Sequence, residues 1–302
     1  MADNKNFEVI IVGGSYAGLS AAMALGRSLR HVLIIDSGLP CNRQTPHSHN
    51  FLTQDGKTPK EISTLAKKQV EKYKTVKFHN GRATGGLKSA DGFEITTDTE
   101  DKFTAKKLIF ATGLKDLMPD IKGFAACWGI SIIHCPYCHG FEYRNQNTGI
   151  IANGAKAFHL ASLVYNLTKN VTILTNGKAD LDVEQITRLN EHSIKIIETN
   201  IAEVEHTNGQ LKNVIFDDGS KLNFNAIYAA IPFRQHSDIP LSLGCEITEQ
   251  GYIRVDDLQK TTVENVFACG DNSGMMRSVA NAVYSGNLTG AMVNSLLSAA
   301  EF

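Results

Sequence analysis

Cysteine is scarce in this chain: six in 302 residues. That is far too few for a disulfide-stapled secreted scaffold, so a Cys-x-x-Cys pair here reads as a catalytic or metal-binding device. An excess of charge of either sign is also missing. Thirty Lys and Arg against 31 Asp and Glu leave a formal net charge of −1, which removes the basic surface that nucleic acid or an anionic membrane would need. No window is long and apolar enough for a membrane span. The first six residues, Met-Ala-Asp-Asn-Lys-Asn, hold no signal-peptide core and run straight into a strand, so the expectation is a cytoplasmic protein. What remains is an ordinary globular composition, 42% hydrophobic and 20% charged. The length exceeds one simple core and predicts about two domains.

Two of the six cysteines stand near the middle, in His134-Cys135-Pro136-Tyr137-Cys138-His139-Gly140. Thiols two residues apart can close a small disulfide ring or exchange electrons as a dithiol. The reactive form is the thiolate, so such chemistry needs a lowered thiol pKa and a nearby proton carrier. Cys135-Pro136 favours a helix N-terminus, and His139 directly follows the second thiol. The stretch therefore reads as a redox centre, and the rest of the chain must supply its electron partner.

The chain begins with a buried parallel strand at Phe7 to Val12. Gly13-Gly14-Ser15-Tyr16-Ala17-Gly18 follows, then a helix to about Leu29, a strand at Val32 to Ile35, and Asp36. Strand, glycine turn, helix, strand and acid form a dinucleotide-binding unit. The glycines let backbone approach a pyrophosphate at the helix N-terminus, and the acid accepts from a ribose. Ser15 stands where the motif has its middle glycine. Ser37 to Lys57 is a long polar loop carrying Cys41, His47 and His49, read as a functional or cofactor-covering loop whose histidines could face a substrate. Thr58 to Tyr73 reads as an amphipathic helix, and Phe93 to Thr97 with Lys102 to Thr104 as a hairpin. Lys107 to Phe110 is a buried strand entering Ala111-Thr112-Gly113. Thr148 to Ala152, a turn, a helix to about Leu167 and a strand at Val171 to Leu174 make a degenerate echo of the first unit. A helix at Leu181 to Leu189, a strand at Ala226 to Ile231, a linker at Phe233 to Gly244, and Val266 to Asp271 precede a final helix from about Arg277 to Leu297.

In joint order, the glycine turn at Gly13 to Gly18, Ala111-Thr112-Gly113, Trp128-Gly129, Cys135-x-x-Cys138 and Phe267 to Asp271 ahead of Arg277 resemble one family. The chain is similar to low-molecular-weight thioredoxin reductase-type flavoproteins of the pyridine nucleotide-disulfide oxidoreductase superfamily. The resemblance spans nearly the whole chain. It implies an α/β fold of two Rossmann-like FAD/NAD(P)-binding domains, three-layer ββα, the second inserted into the first. The FAD domain would be residues 1–117 and 245–302, and the NAD(P)-type domain carrying the redox centre residues 118–244. It also implies a homodimer with one FAD per chain, an FAD-dependent thiol–disulfide oxidoreductase. Its partner would be a thioredoxin-like protein or a small-molecule dithiol or disulfide. Gly13, Gly14 and Gly18 would hold the pyrophosphate, Asp36 a ribose, and Asp271 the ribityl and pyrophosphate region. Ser15, Ala17, Ser37, Ala111, Thr112, Gly113, Gly270, Arg277, Ser278 and Val279 would complete the cofactor set. Cys138 would face the flavin, Cys135 would exchange with substrate, and His139 would move the proton.

Two departures matter. Thioredoxin reductases usually carry Cys-Ala-Thr-Cys followed by Asp, whereas here His139 takes the acid/base place, with an ordinary pKa near neutrality. The NADPH turn is degenerate: Ala152-Asn153-Gly154-Ala155-Lys156-Ala157 lacks the first glycine, and Thr175-Asn176-Gly177 stands where His-Arg-Arg would grip a 2′-phosphate. A 2′-phosphate without a cation loses charge-assisted hydrogen bonds of about 1.5–3 kcal/mol each. Lys156 or Lys178 could substitute. Cys-Pro-aromatic-Cys-His also resembles a dithiol oxidase branch of the family, which closes disulfides with dioxygen as acceptor and needs no nicotinamide. A zinc site from His134, Cys135, Cys138 and His139 is a remote alternative, because no second pair completes a tetrahedron. Cys-Pro-Tyr-Cys is also a glutaredoxin motif, but there it opens a small domain.

Overall fold

The computed structural model describes residues 5–302. Residues 1–4, part of the start on which the cytoplasmic expectation rests, lie outside the described residues. Strand β1 (Asn6–Val12) is buried from Val9 onward and leads through the glycine turn into helix α1 (Tyr16–Arg27) and strand β2 (Val32–Asp36). Helix α2 (Pro59–Val70) starts at a capping box, in which Thr58 and Glu61 each satisfy the other's backbone N–H. Strands β3 (Val76–Asn80), β4 (Ala83–Ser89), β5 (Gly92–Thr97) and β6 (Lys102–Phe110) complete the first run. The two short strands expected at Lys102 to Thr104 and Lys107 to Phe110 are one nine-residue strand. Its first half pairs antiparallel with β5, and from Thr104 to Phe110 it runs parallel beside β1.

Alternation along β1 builds a three-layer body. Val9 and Ile11 face a helical layer with Leu25, Ile34 and Ile109. Ile10 and Val12 face the other side with Leu33, Phe93 and Ile95. Strand β7 (Leu114–Asp116) then carries the chain out of this body.

The second body follows. Helix α3 (Phe124–Cys127), strand β8 (Ile132–Ile133) and helix α4 (Pro136–His139) precede strand β9 (Thr148–Ile151), helix α5 (Gly154–Tyr165) and strand β10 (Val171–Leu174). Next come helix α6 (Val183–Glu191), β11 (Lys195–Ile197), β12 (Ile201–Thr207), β13 (Gln210–Phe216), β14 (Lys221–Asn223) and β15 (Ala226–Ala229). An all-parallel sheet runs β11-β10-β9-β15-β8, beside an antiparallel β12-β13-β14 sheet. Helix α6 begins two residues later than expected because Asp182 caps it, accepting from Gln185 N–H at 2.8 Å.

Strand β16 (Phe233–Gln235) brings the chain back and pairs antiparallel with β7, so exit and return form one ribbon. Helix α7 (Ile239–Ser242) follows at once, and Ile239 and Leu243 pack into the first sheet's hairpin-side core. Strand β17 (Val266–Ala268) docks parallel on the second half of β6, and helix α8 (Val279–Glu301) closes the chain against α1. The second Rossmann-like body is therefore inserted into the first.

Candidate active site

The glycine turn is shaped by close backbone contacts. Gly13 has φ +105°, and a Cβ there would stand 2.3 Å from the Ala111 carbonyl oxygen. A Cβ on Gly18 would stand 1.8 Å from the Gly13 carbonyl oxygen, so only glycine lets α1 lie this near the turn. Asp36 ties the turn to the next loop: it accepts from Gly14 N–H at 2.9 Å and Gly38 N–H at 3.2 Å. Ser15 is the N-cap of α1 but makes no side-chain cap bond, and the first turn holds no acid. The opening N–H groups of α1 thus lack a side-chain cap at the wall of a cavity, an arrangement suited to an anion.

The opposite wall comes from β6 and the segment before α8. Asn272 is buried and donates to Phe110 O at 2.8 Å and Thr112 Oγ1 at 3.2 Å, while its Oδ1 has no partner. Gly270 N–H donates to Ser285 Oγ at 3.0 Å. Arg277 makes two hydrogen bonds to Asp116, at 2.8 and 3.2 Å, and its Nε lies 3.7 Å from Asp271. Burial opposes the Arg277 charge, but Asp116 and Asp271 outweigh it and raise its pKa. Burial raises the Asp271 pKa, with Arg277 acting against that shift. The Trp128 indole N–H donates to Asp116 Oδ2 at 3.2 Å, so this ion pair also holds the inserted body. Ser278 caps α8 by accepting from Asn281 N–H at 3.1 Å, which starts that helix at Val279 rather than Arg277.

The cysteine stretch forms the short helix α4, with Cys135 as N-cap and Pro136 in its first turn. Cys135 and Cys138 are joined as a disulfide, with Cα atoms 5.3 Å apart, and Cys138 N–H donates to Cys135 Sγ at 3.2 Å. Burial and the nearby His49 lower the His139 pKa, while Glu142 opposes them. His134 opens onto the cavity, and the surrounding protein and the Arg277 charge push its pKa down to about 4. Among the described residues, no group of three or more His, Cys, Asp or Glu is arranged to hold a metal ion.

One cavity of about 1310 Å³ joins these parts, above the roughly 300–1,000 Å³ of ordinary ligand pockets. Gly13, Gly14, Ser15, Ala17, Asp36 and Ser37 line one end. Ala111, Thr112, Gly113, Gly270, Asp271, Arg277, Ser278 and Val279 line its length, and Cys135, Cys138 and His139 stand on the far wall. His47 and His49 line it too, whereas Gly18 packs behind the turn. The uncapped helix and the close backbone at Gly13, both at the cavity wall, fit a flavin dinucleotide. Asp116, Asn272 and Glu142 were not singled out by sequence. They belong to no local motif, and Asp116 meets Arg277 across 161 positions.

The second dinucleotide turn differs. Asn153 Oδ1 accepts from Gly154 N–H and Asp180 N–H, both at 2.8 Å, and its Nδ2 donates to Lys178 O at 2.8 Å. An Asp180 carboxylate oxygen lies 3.5 Å from the Gly154 Cβ position. Thr175 Oγ1 donates to Gly177 O at 2.6 Å, and Asn176 Oδ1 accepts from Ile201 N–H at 2.7 Å. The turn is filled by its own chain and carries an acid, so its residues do not fit a dinucleotide phosphate.

Residues 7–286 match the family described as Pyridine nucleotide-disulphide oxidoreductase. The chain is 32% identical over 310 residues to the thioredoxin reductase tcpT of Claviceps purpurea, covering 98% of this chain and 96% of the relative. It is 24% identical over 306 residues to thioredoxin reductase of Bacillus subtilis, covering 97% and 95%. The crystal structure of an oxidoreductase from Agrobacterium tumefaciens superposes with a TM-score of 0.90 at 37% identity, covering 97% of this chain and 98% of that one.

Proposed function

The chain belongs to the pyridine nucleotide-disulphide oxidoreductase family, and on that footing we propose that electrons pass between bound FAD and the Cys135–Cys138 pair. It is a thioredoxin reductase-like flavoprotein oxidoreductase, and the proposal makes it an FAD-dependent thiol–disulfide oxidoreductase. One observation carries this reading: a single cavity holds both the dinucleotide turn and the disulfide. Gly13, Gly14 and the α1 N-terminus would hold the pyrophosphate, Asp36 a ribose, and Asp271, Arg277, Ser278 and Val279 the flavin end. Gly18 supports the turn from behind. FAD, when bound, supplies the two-electron couple.

The chain's own residues handle the sulfur and the proton. Cys135 exchanges with the outside thiol and forms the mixed disulfide, which leaves Cys138 as the free sulfur. Cys138 N–H, 3.2 Å from Cys135 Sγ, would stabilise a thiolate on Cys135 once the pair is reduced. His139, kept neutral by burial, takes up the proton the exchange releases. We place the domain hinge at the β7–β16 ribbon, with a cytoplasmic homodimer as the working assembly. A thioredoxin-like protein or a small dithiol or disulfide is the partner.

A second reading, a dithiol oxidase that passes electrons to dioxygen, is favoured by the closed turn at Asn153 and Asp180. NADPH has no open phosphate site there. Separate anaerobic additions of NADPH, NADH and dithiothreitol, followed by flavin absorbance, test both readings. Bleaching by NADPH marks a reductase. Bleaching by the dithiol alone, with recovery in air, marks an oxidase, and purified protein without bound flavin ends both.

A further inference from the structure

Beside the disulfide, one cluster joins the two bodies without a part in the exchange described above. His49, from the loop between β2 and α2, has Nε2 3.6 Å from Glu142 Oε1 and Nδ1 3.6 Å from Asp55 Oδ2. Its ring stands at 88° to that of His139, centroids 6.3 Å apart. His47 follows, its centroid 6.4 Å from His49 and its Nδ1 3.0 Å from Gly56 O. Exposure rises outward: the His49 side chain is 20% exposed, Glu142 37% and Asp55 67%. An imidazole next to the thiol, a second imidazole and two surface carboxylates thus run from the cavity to solvent.

We propose that His49 is a positioning residue for thiol exchange that carries the proton from His139 out to solvent. The proposal rests on the redox reading of Cys135 and Cys138. In the exchange, R–SH loses its proton to His139 and its sulfur attacks Cys135 Sγ. The Cys135–Cys138 bond breaks, the R–S–S–Cys135 bond forms, and the electron pair leaves on Cys138 as thiolate. The substrate sulfur is oxidised and the Cys138 sulfur reduced, so no further oxidant enters, and one proton is left over. A proton that stays on His139 returns to Cys138 and quenches the thiolate. Passing it onward keeps Cys138 in its reactive form. Both 3.6 Å contacts exceed hydrogen-bond length, so neither His49 nitrogen is held by a direct hydrogen bond to these carboxylates. Transfer between the perpendicular rings, whose centroids are 6.3 Å apart, requires a bridging water. Titratable groups facing this path are Glu142 from the segment after α4, and Asp55 and His47 from the loop.

The test mixes oxidised full-length protein with 2-mercaptoethanol in weak buffer with a pH indicator. Quenched samples are weighed by mass spectrometry for the mixed disulfide. The wild type gives a proton burst that matches one adduct per chain. His49→Ala slows the burst on the order of ten- to hundredfold, and added imidazole restores most of it. His49→Gln, which fills the site, stays slow in imidazole. Wild-type speed in His49→Ala, or a slowing that imidazole leaves unchanged, overturns the proposal. Should the alanine variant fail to fold, wild-type speed in His49→Gln overturns it equally. A wild type that forms no adduct sinks the redox reading along with it.

Discussion

Arg277 and Asp116 are locked by two hydrogen bonds of 2.8 and 3.2 Å, with each side chain only 11% exposed. Asp116 ends the strand by which the chain leaves the first body, and Arg277 stands just ahead of the last helix. The Trp128 indole adds the inserted body to the same carboxylate. Cavity wall, ribbon and inserted body therefore share one buried ion pair.

Asp116→Ala leaves the Arg277 charge with Asp271 alone, at 3.7 Å. Breaking a buried pair from one side costs about 3 kcal/mol, and the expected outcome is a loss of that size in urea unfolding. A loss within about 0.5 kcal/mol, the range of an ordinary surface change, would contradict the structural role.

Gly18→Ala sets a methyl group 1.8 Å from a backbone oxygen that cannot rotate away. The expected cost is about 3 kcal/mol, at the upper end of overpacking, with loss of bound flavin on gel filtration. A variant that stays yellow and melts like wild type contradicts the packing argument.

The parts of the site that sequence exposed are those built from neighbouring residues. The glycine turn, Asp36 and the cysteine pair each sit within one strand-turn-helix step, where spacing fixes geometry. Asn272 and Asp116 were hidden because their partners, Phe110 and Arg277, lie 162 and 161 positions away. Helix starts shifted for a local reason: Asp182 and Ser278 are caps, and hydrophobic periodicity does not see a cap. The two strands expected at Lys102 to Phe110 proved continuous because β1 covers one flank from Thr104 to Phe110, across the expected break, while β5 and β17 divide the other.

The pH dependence of adduct formation follows from His139. Burial and His49 hold its pKa below the ordinary value of about 6.5, so the neutral, proton-accepting form persists into mildly acidic solution. The acid limb of the rate should lie below that value. Replacing His49 by Gln removes a group that lowers the His139 pKa and should move the limb up, while Glu142→Gln should move it down. Shifts of the opposite sign refute the assignment. The linked stability has the same sense: it is fully present above the unfolded pKa and is lost as pH falls through the folded one.

Calorimetry of the flavin-loaded protein with NADPH should show no saturable binding up to about 1 mM, that is, no more than about 4 kcal/mol of affinity. Asn153 Oδ1 already accepts from Gly154 N–H and Asp180 N–H, so these donors of the turn are engaged by the chain itself. A micromolar dissociation constant would show that the turn opens and would restore the nicotinamide reading.

The central claim is that Cys138 stands between outside thiols and the flavin. Its most direct test is the anaerobic addition of dithiothreitol to wild type and Cys138→Ser, each purified with FAD, while flavin absorbance is followed. The account predicts that the wild type bleaches within the mixing experiment and that Cys138→Ser stays yellow. Equal bleaching of the two proteins would contradict it.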